Sequence, residues 1–267
     1  MKIEAVRLAC FSPTHTTRTV LEAIGRGTGI TPVTVTDVTP PGPPDWPDFG
    51  ADELLVIGGP VYAGRLPATA VARFRGLKGN GGPAVVAAVY GNREFEDALV
   101  ELEDIVTAAG FKTLAGGAFI GEHSFNTEET PIAPGRPDAA DLARAEAFGK
   151  DIRKLLDTIS GDDIPAPTLP GNRPYRDLVH HEGETPVTDD ATCTRCGECV
   201  AACPVAAVPS DDPTMTDGEK CITCAACVKV CPVSARSFQN PEMLRRLRWL
   251  LKITRERKEP GTWLAEV

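Results

Sequence analysis

The sequence predicts an α/β chain: a doubly wound parallel sheet followed by a small cysteine-rich module. Three observations carry that expectation. Residues 1–160 alternate apolar strand-like runs with helical patterns. Five such runs fit a sheet of order 2-1-3-4-5. Eight of the nine cysteines then fall between positions 193 and 231, in two runs of one spacing. A chain of 267 residues holds about two domains.

Residues 3–10 form the first expected strand. Glu4 and Arg7 interrupt its apolar run, which argues against a secretory leader. A helix over 16–25 follows, with Gly25, Gly27 and Gly29 as its end and a turn. These glycines follow a helix rather than a strand, so they do not make a dinucleotide fingerprint. Strand two spans 32–38, and a proline-rich loop runs on to Pro47. Residues 53–59 and 83–90 are apolar enough to be buried on both faces, with a short helix over 68–74 between them. A helix over 94–109 is stopped by Gly110. Strand five, 111–120, is weakened by Gly116 and Gly117. The last helix, 138–159, starts at Asp138 and stops at Gly161. Prolines 165, 167, 170 and 174 make 161–185 a stiff linker, with 170–175 able to dock on the sheet. Residues 186–240 form the cysteine-rich domain. Residues 241–267 hold a basic amphipathic helix and a tail. Met243, Leu244, Leu247, Leu250 and Leu251 share one stripe, and Arg245, Arg246, Arg248, Lys252 and Arg255 line the rest. Docking on this chain's own body is the favoured reading, with a partner site or membrane contact as the alternative. Trp263 is placed to pin the tail.

The cysteine pattern reads Cys193-x-x-Cys196-x-x-Cys199-x-x-x-Cys203-Pro204, and recurs 28 residues on as Cys221, Cys224, Cys227 and Cys231-Pro232. Three thiols on one turning loop reach three corners of one iron–sulfur cube, and the fourth is carried away from it. Zinc sites usually split two Cys-x-x-Cys pairs by a longer spacer, and disulfides suit small secreted chains. The crowding here favours two [4Fe-4S] clusters. The stretch resembles the two-cluster bacterial ferredoxins, in which the fourth cysteine ligates the other cluster. The resemblance implies one cluster on Cys193, Cys196, Cys199 and Cys231, and a second on Cys221, Cys224, Cys227 and Cys203. Small apolar residues around them, Val200, Ala225 and Ala226 included, disfavour the more charged reduced cluster and lower its potential. Cys10 ends an apolar strand outside both runs and reads as a buried, inert thiol.

Ser12-Pro13-Thr14-His15-Thr16-Thr17 joins a strand to a helix. Hydroxyls and free N–H groups at a helix N-terminus bind a phosphate without a cation. The Gly-Lys-Ser/Thr of a triphosphate loop is missing, which argues against ATP or GTP hydrolysis. The segment resembles the FMN phosphate loop of flavodoxins. Gly59-Pro60-Val61-Tyr62-Ala63-Gly64-Arg65-Leu66-Pro67 and Val89-Tyr90-Gly91-Asn92-Arg93 resemble the loops that flank the flavin ring. Gly121-Glu122-His123-Ser124 resembles a segment of flavodoxin–ferredoxin fusions, single chains that join both modules. The resemblance covers nearly the whole chain and departs at His15, where many flavodoxins carry glycine or asparagine. It implies a flavodoxin-like FMN domain over 1–160 and a small α+β ferredoxin domain. Its implied flavin contacts are Ser12, Thr14, His15, Thr16 and Thr17, then Pro60, Val61, Tyr62 and Gly64, then Tyr90, Gly91 and Asn92. Tyr62 and Tyr90 suit stacking on the ring and Asn92 its polar edge. Packing at the strand ends is the other use of both tyrosines. His123 reads as a solvated loop residue, with proton donation to flavin as the alternative.

A formal charge of -9 argues against a nucleic-acid partner. No apolar run approaches the ~20 residues of a membrane span. Cysteine use and labile clusters indicate a reducing cytoplasm. The expected function is electron transfer between two [4Fe-4S] clusters and FMN, with redox proteins as partners. A reductase of a small molecule fed by the clusters is the first alternative, favoured by a substrate pocket over the flavin. A redox or oxygen sensor with an empty flavodoxin fold is the second. The sequence specifies neither catalytic residues nor oligomeric state.

Overall fold

A computed structural model describes residues 1–160, 164–179 and 183–266. Gly161, the expected stop of the last sheet-domain helix, lies outside the described residues. The elements run β1 (Ala5–Cys10), α1 (Thr16–Thr28), β2 (Val33–Asp37), β3 (Glu53–Pro60), α2 (Ala68–Phe74), β4 (Pro83–Tyr90), α3 (Ala98–Ala108), β5 (Lys112–Ile120) and α4 (Ala139–Thr158). The five strands pair in parallel in the order β2-β1-β3-β4-β5, a flavodoxin-like doubly wound sheet. Its central strands are nearly all apolar because helices cover both faces. Leu21, Ile24, Phe148 and Ile152 bring α1 and α4 onto one face. Phe74, Leu99, Leu102 and Val106 bring α2 and α3 onto the other. Cys10 is fully buried at the end of β1, and burial pushes its thiol up to about 12, as an inert thiol requires.

Two expected boundaries shift, and one interior glycine acquires a role, for physical reasons. Helix α1 runs through Gly25 and Gly27 and is capped by Gly29 at φ 66. The inner glycines serve close helix packing: a Cβ on Gly27 would lie 2.1 Å from Glu146 O, and one on Gly149 of α4 would lie 2.2 Å from Ile24 O. Helix α3 starts at Ala98 rather than 94, because Asn92 and Glu96 take left-handed φ of 60 and 44. Strand β5 carries through Gly116 and Gly117 unbroken, and Gly116 has a packing use. It leaves room for Leu169, whose Cδ2 would lie 2.6 Å from a Cβ there. Residues 164–179 therefore pack along the sheet and α3. Arg173 pairs with Glu103 at 2.8 Å and Asp104 at 2.7 Å. Asp138 caps α4 with a full capping box.

The cysteine-rich module holds β6 (Val187–Thr188), α5 (Glu198–Ala201), α6 (Ala226–Lys229) and β7 (Arg236–Ser237), with β6 and β7 antiparallel. Helix α7 (Pro241–Ile253) follows. It buries Met243, Leu247 and Leu250 against Ile132 in the loop after β5, so it docks on its own chain. The tail does more than the sequence indicated. Strand β8 (Gly261–Leu264) joins β5 antiparallel, with Trp263 opposite Gly116. The chain thus returns from the module to the sheet. Among the described residues no helix is long and apolar enough to cross a membrane.

Candidate functional site

The 28-residue repeat is written into the backbone as well as the spacing. Arg195 and Thr223 take φ of 57 and 54, Ala206 and Ser234 take 50 and 53, and Gly197 and Ala225 take 82 and 63. These turns aim N–H groups at sulfur. Arg195 and Thr223 N–H donate to Cys193 and Cys221 Sγ, each at 3.4 Å. Ala207 N–H donates to Cys203 Sγ at 3.1 Å and Ala235 N–H to Cys231 Sγ at 3.2 Å. Such donors favour the thiolate, the form that binds metal.

The fourth cysteine of each run lies with the other run. Cys231 borders the same small cavity as Cys193, Cys196 and Cys199. Cys203 lies close enough to Cys221, Cys224 and Cys227 to disfavour their charged forms. Burial pushes Cys224 up to about 12 and Cys227 to about 11, while Arg236 pulls Cys227 the other way. Bound metal would supply the charge that draws those protons off. All nine cysteines are unpaired; Cys203, Cys224 and Cys227 are buried, and Cys196 is exposed.

A cavity of about 650 Å³ lies beyond the carboxyl ends of β1, β3, β4 and β5. Ser12, Thr14, Thr16, Thr17, Pro60, Val61, Tyr62, Tyr90 and Gly91 border it. Thr19 N–H bonds to His15 O, so the Thr16 and Thr17 N–H groups precede the first intrahelical bond. No acidic side chain stands in this first turn. Arg18 N–H donates to Ser12 Oγ at 3.1 Å, and the Thr14 and Thr16 hydroxyls are 3.2 Å apart. This donor set fits a phosphate.

Three candidates do not border the cavity. His15 is exposed at φ 64, the left-handed turn that suits glycine or asparagine, so its role is to turn the chain. Gly64, at φ 89, turns beneath Glu96 and accepts Asp97 N–H at 2.9 Å. Asn92 spends its amide on the tail: Nδ2 donates to Thr254 O and Glu256 O, both at 2.8 Å, and Oδ1 accepts Lys258 N–H at 3.1 Å. That leaves it no reach to a flavin edge. Tyr90 borders the cavity, but its buried ring tilts on Phe95 at 5.6 Å, which is the packing use. His123 is half-buried rather than fully solvated. It borders the cavity, packs on Phe125 at 5.2 Å and accepts Phe125 N–H on Nδ1 at 3.2 Å. Burial pushes it down to about 4, with Lys229 and Arg93 adding to the effect, so it is neutral.

The far wall was hidden from the sequence. Cys221, Ile222 and Thr223 border the same cavity. Tyr62 stands beside them: burial holds its phenol well above the usual range, and Cys224 and Cys221 add to it. Leu178, Val179 and Trp249 complete an apolar rim. Two arginines hold these walls. Arg65 pairs with Glu101 at 2.7 Å, donates to Arg176 O at 2.6 Å and lies 4.4 Å over the Tyr175 ring. Arg73 of α2 donates to Val38 O (2.7 Å), Thr39 O (2.6 Å) and Pro204 O (2.5 Å), gripping the peptide after Cys203. Across the crevice, Lys229 pairs with Glu122 at 2.7 Å. Both arginines are bound to groups distant in sequence, so no local motif marks them.

The 4Fe-4S dicluster domain family matches residues 185–232, which assigns 4Fe-4S binding to the module. No curated protein matches the chain. Among solved structures, a flavodoxin from the domain Archaea overlaps at 16% identity with a TM-score of 0.36, over 57% of this chain and 99% of that one. Flavodoxin 2 from Bacillus cereus overlaps at 15% identity and 0.41, over 56% and 98%. Rubredoxin oxygen:oxidoreductase from Desulfovibrio gigas overlaps at 13% and 0.41, over 58% and 37%. The strand order observed here, rather than these overlaps, defines the sheet as flavodoxin-like. A flavodoxin-like sheet joined to a 4Fe-4S module is an architecture for electron transfer.

Proposed function

We propose that the chain passes electrons between two [4Fe-4S] clusters and one FMN, as a member of the flavodoxin–ferredoxin fusion family. The observation that carries this reading is a single cavity bounded by the Ser12–Thr17 loop on one side and by Cys221, Ile222 and Thr223 on another. FMN, when bound, supplies the exchange between one-electron and two-electron chemistry. The Thr16 and Thr17 N–H groups and the nearby hydroxyls hold its phosphate. Tyr62 offers a ring face, and His123, with Nδ1 already accepting, offers Nε2–H. Cys193, Cys196, Cys199 and Cys231 hold an outer cluster; Cys221, Cys224, Cys227 and Cys203 hold an inner one. The exposed Cys196 suits contact with a one-electron partner protein. Unpaired thiols throughout fit a reducing cytoplasm.

A second reading, a small-molecule reductase fed by the clusters, draws on the apolar rim of Leu178, Val179 and Trp249 over the crevice. Anaerobic reconstitution with flavin and iron counts tests the main reading. FMN binds far more tightly than riboflavin, and replacing Thr14, Thr16 and Thr17 by Val weakens FMN while iron content holds. Equal affinity for FMN and riboflavin would remove the phosphate loop from the account.

A further inference from the structure

At one position buried in both copies the repeat changes its residue. Val208, 2% exposed, follows Cys203 in the first copy; 28 residues on, the second copy carries Arg236, 3% exposed. Its guanidinium donates to Pro213 O at 2.8 Å and to Thr216 Oγ1, and its Nε has no acceptor among the described residues. None of these partners is a carboxylate. A buried cation without an anion is costly, so the charge needs a counterpart. The sulfurs provide it. Arg236 Nη1 lies 3.8 Å from Cys199 Sγ, in the first run. The same guanidinium lies within side-chain hydrogen-bonding reach of Cys227, in the second. One guanidinium thus stands at the junction of both thiol sets.

We propose that Arg236 is the built-in counter-ion of both clusters, a fixed positive charge that raises their reduction potentials; this rests on the two-cluster reading. Reduction adds one electron to a cluster and moves no proton. A cation beside the sulfurs stabilises the product more than the reactant, and a buried cation is little screened. The charge offsets the lowering that the small apolar surroundings impose.

The test is a dithionite titration of the anaerobic holoprotein, followed by electron paramagnetic resonance, in Arg236→Met and Arg236→Lys. Arg236→Met lowers both midpoints, with a tenfold fall in the reduced-to-oxidised ratio at a given potential, about 59 mV for one electron. Arg236→Lys recovers most of that shift. Unchanged midpoints in Arg236→Met, or a shift confined to one cluster, overturn the proposal. If Arg236→Met assembles no clusters, iron content decides: rescue by Lys but not by Gln upholds the role of charge, and equal rescue by both overturns it. The iron count of the native holoprotein tests the two-cluster reading separately.

Discussion

Asp97 gathers three donors on one buried carboxylate: Asn172 N–H at 2.8 Å, Asn172 Nδ2–H at 2.9 Å and Arg176 N–H at 2.7 Å. Burial alone would push its carboxyl up; the donors outweigh it and hold the group below the usual carboxylate range. Asp97→Ala leaves those donors unmet and costs about 2 kcal/mol in urea unfolding, and Asp97→Asn recovers part. His123 gives the pH dependence. Unfolded, it takes its proton near 6.5; folded, only near 4. Between those values the unfolded state binds more protons, so stability declines as pH falls from 6.5 to 4 and levels off below. A His123→Gln variant flattens that part of the profile. Neither role was legible in the sequence. Both residues stand in polar loop segments, and the groups that bury or bind them come from Gly91, Lys229 and residues 172–176.

Elements were legible where their signals are local. The bounds of α2 and β4 follow from apolar runs and their flanks, and Asp138 announces α4. What escaped was contact across the chain. Gly25 and Gly27 looked like punctuation because nothing in their own segment shows that the sheet needs the one's surface and α4 the other's. Gly27→Ala, by forcing α1 from α4, costs about 1–3 kcal/mol as an overpacking change, read by chemical denaturation. Strand β8 is only four residues long, too short for a period, and it exists because the edge of β5 offers unpaired backbone. The N-cap of α7 was equally quiet. Asn240 Oδ1 accepts from Glu242 N–H at 2.9 Å and Met243 N–H at 3.2 Å. Asn240→Ala costs about 1 kcal/mol and loosens Met243 and Leu247 first, seen as faster amide exchange in α7 than in the sheet.

At the scale of the whole molecule, the sheet and the cysteine-rich module are joined at both ends. Residues 164–179 pack along α3 and the sheet, and the tail returns as β8, so a cut after Pro170 would leave the two parts associated. The 4Fe-4S module was legible because its cysteine spacing is local. The crevice was half legible: its sheet-side loops carry motifs, whereas Cys221–Thr223 and Trp249 reach it only through folding. On the proposed crossed ligation, Cys203→Ala damages the inner cluster, the one assigned to Cys221, Cys224 and Cys227. Spectra that resolve the two clusters check this, and loss of the outer cluster alone would contradict it. Arg73 holds the backbone beside Cys203, a proposed ligand of the inner cluster, through Pro204 O. Arg73→Gln slows electron passage to the flavin by about tenfold or more, since small misplacements weigh heavily on rate, while iron and flavin contents hold.

Cofactors carried on one chain meet at an effective concentration on the order of millimolar. The central claim is that the inner cluster exchanges electrons with the flavin inside the molecule. Anaerobic stopped-flow of the fully loaded chain with a limiting pulse of dithionite, repeated over a range of protein concentrations, tests it most directly. The account predicts flavin reduction that follows cluster reduction at a rate independent of protein concentration, and that is lost in a Cys224→Ala chain without its inner cluster. A rate proportional to protein concentration, or flavin reduced equally fast without the inner cluster, would contradict it.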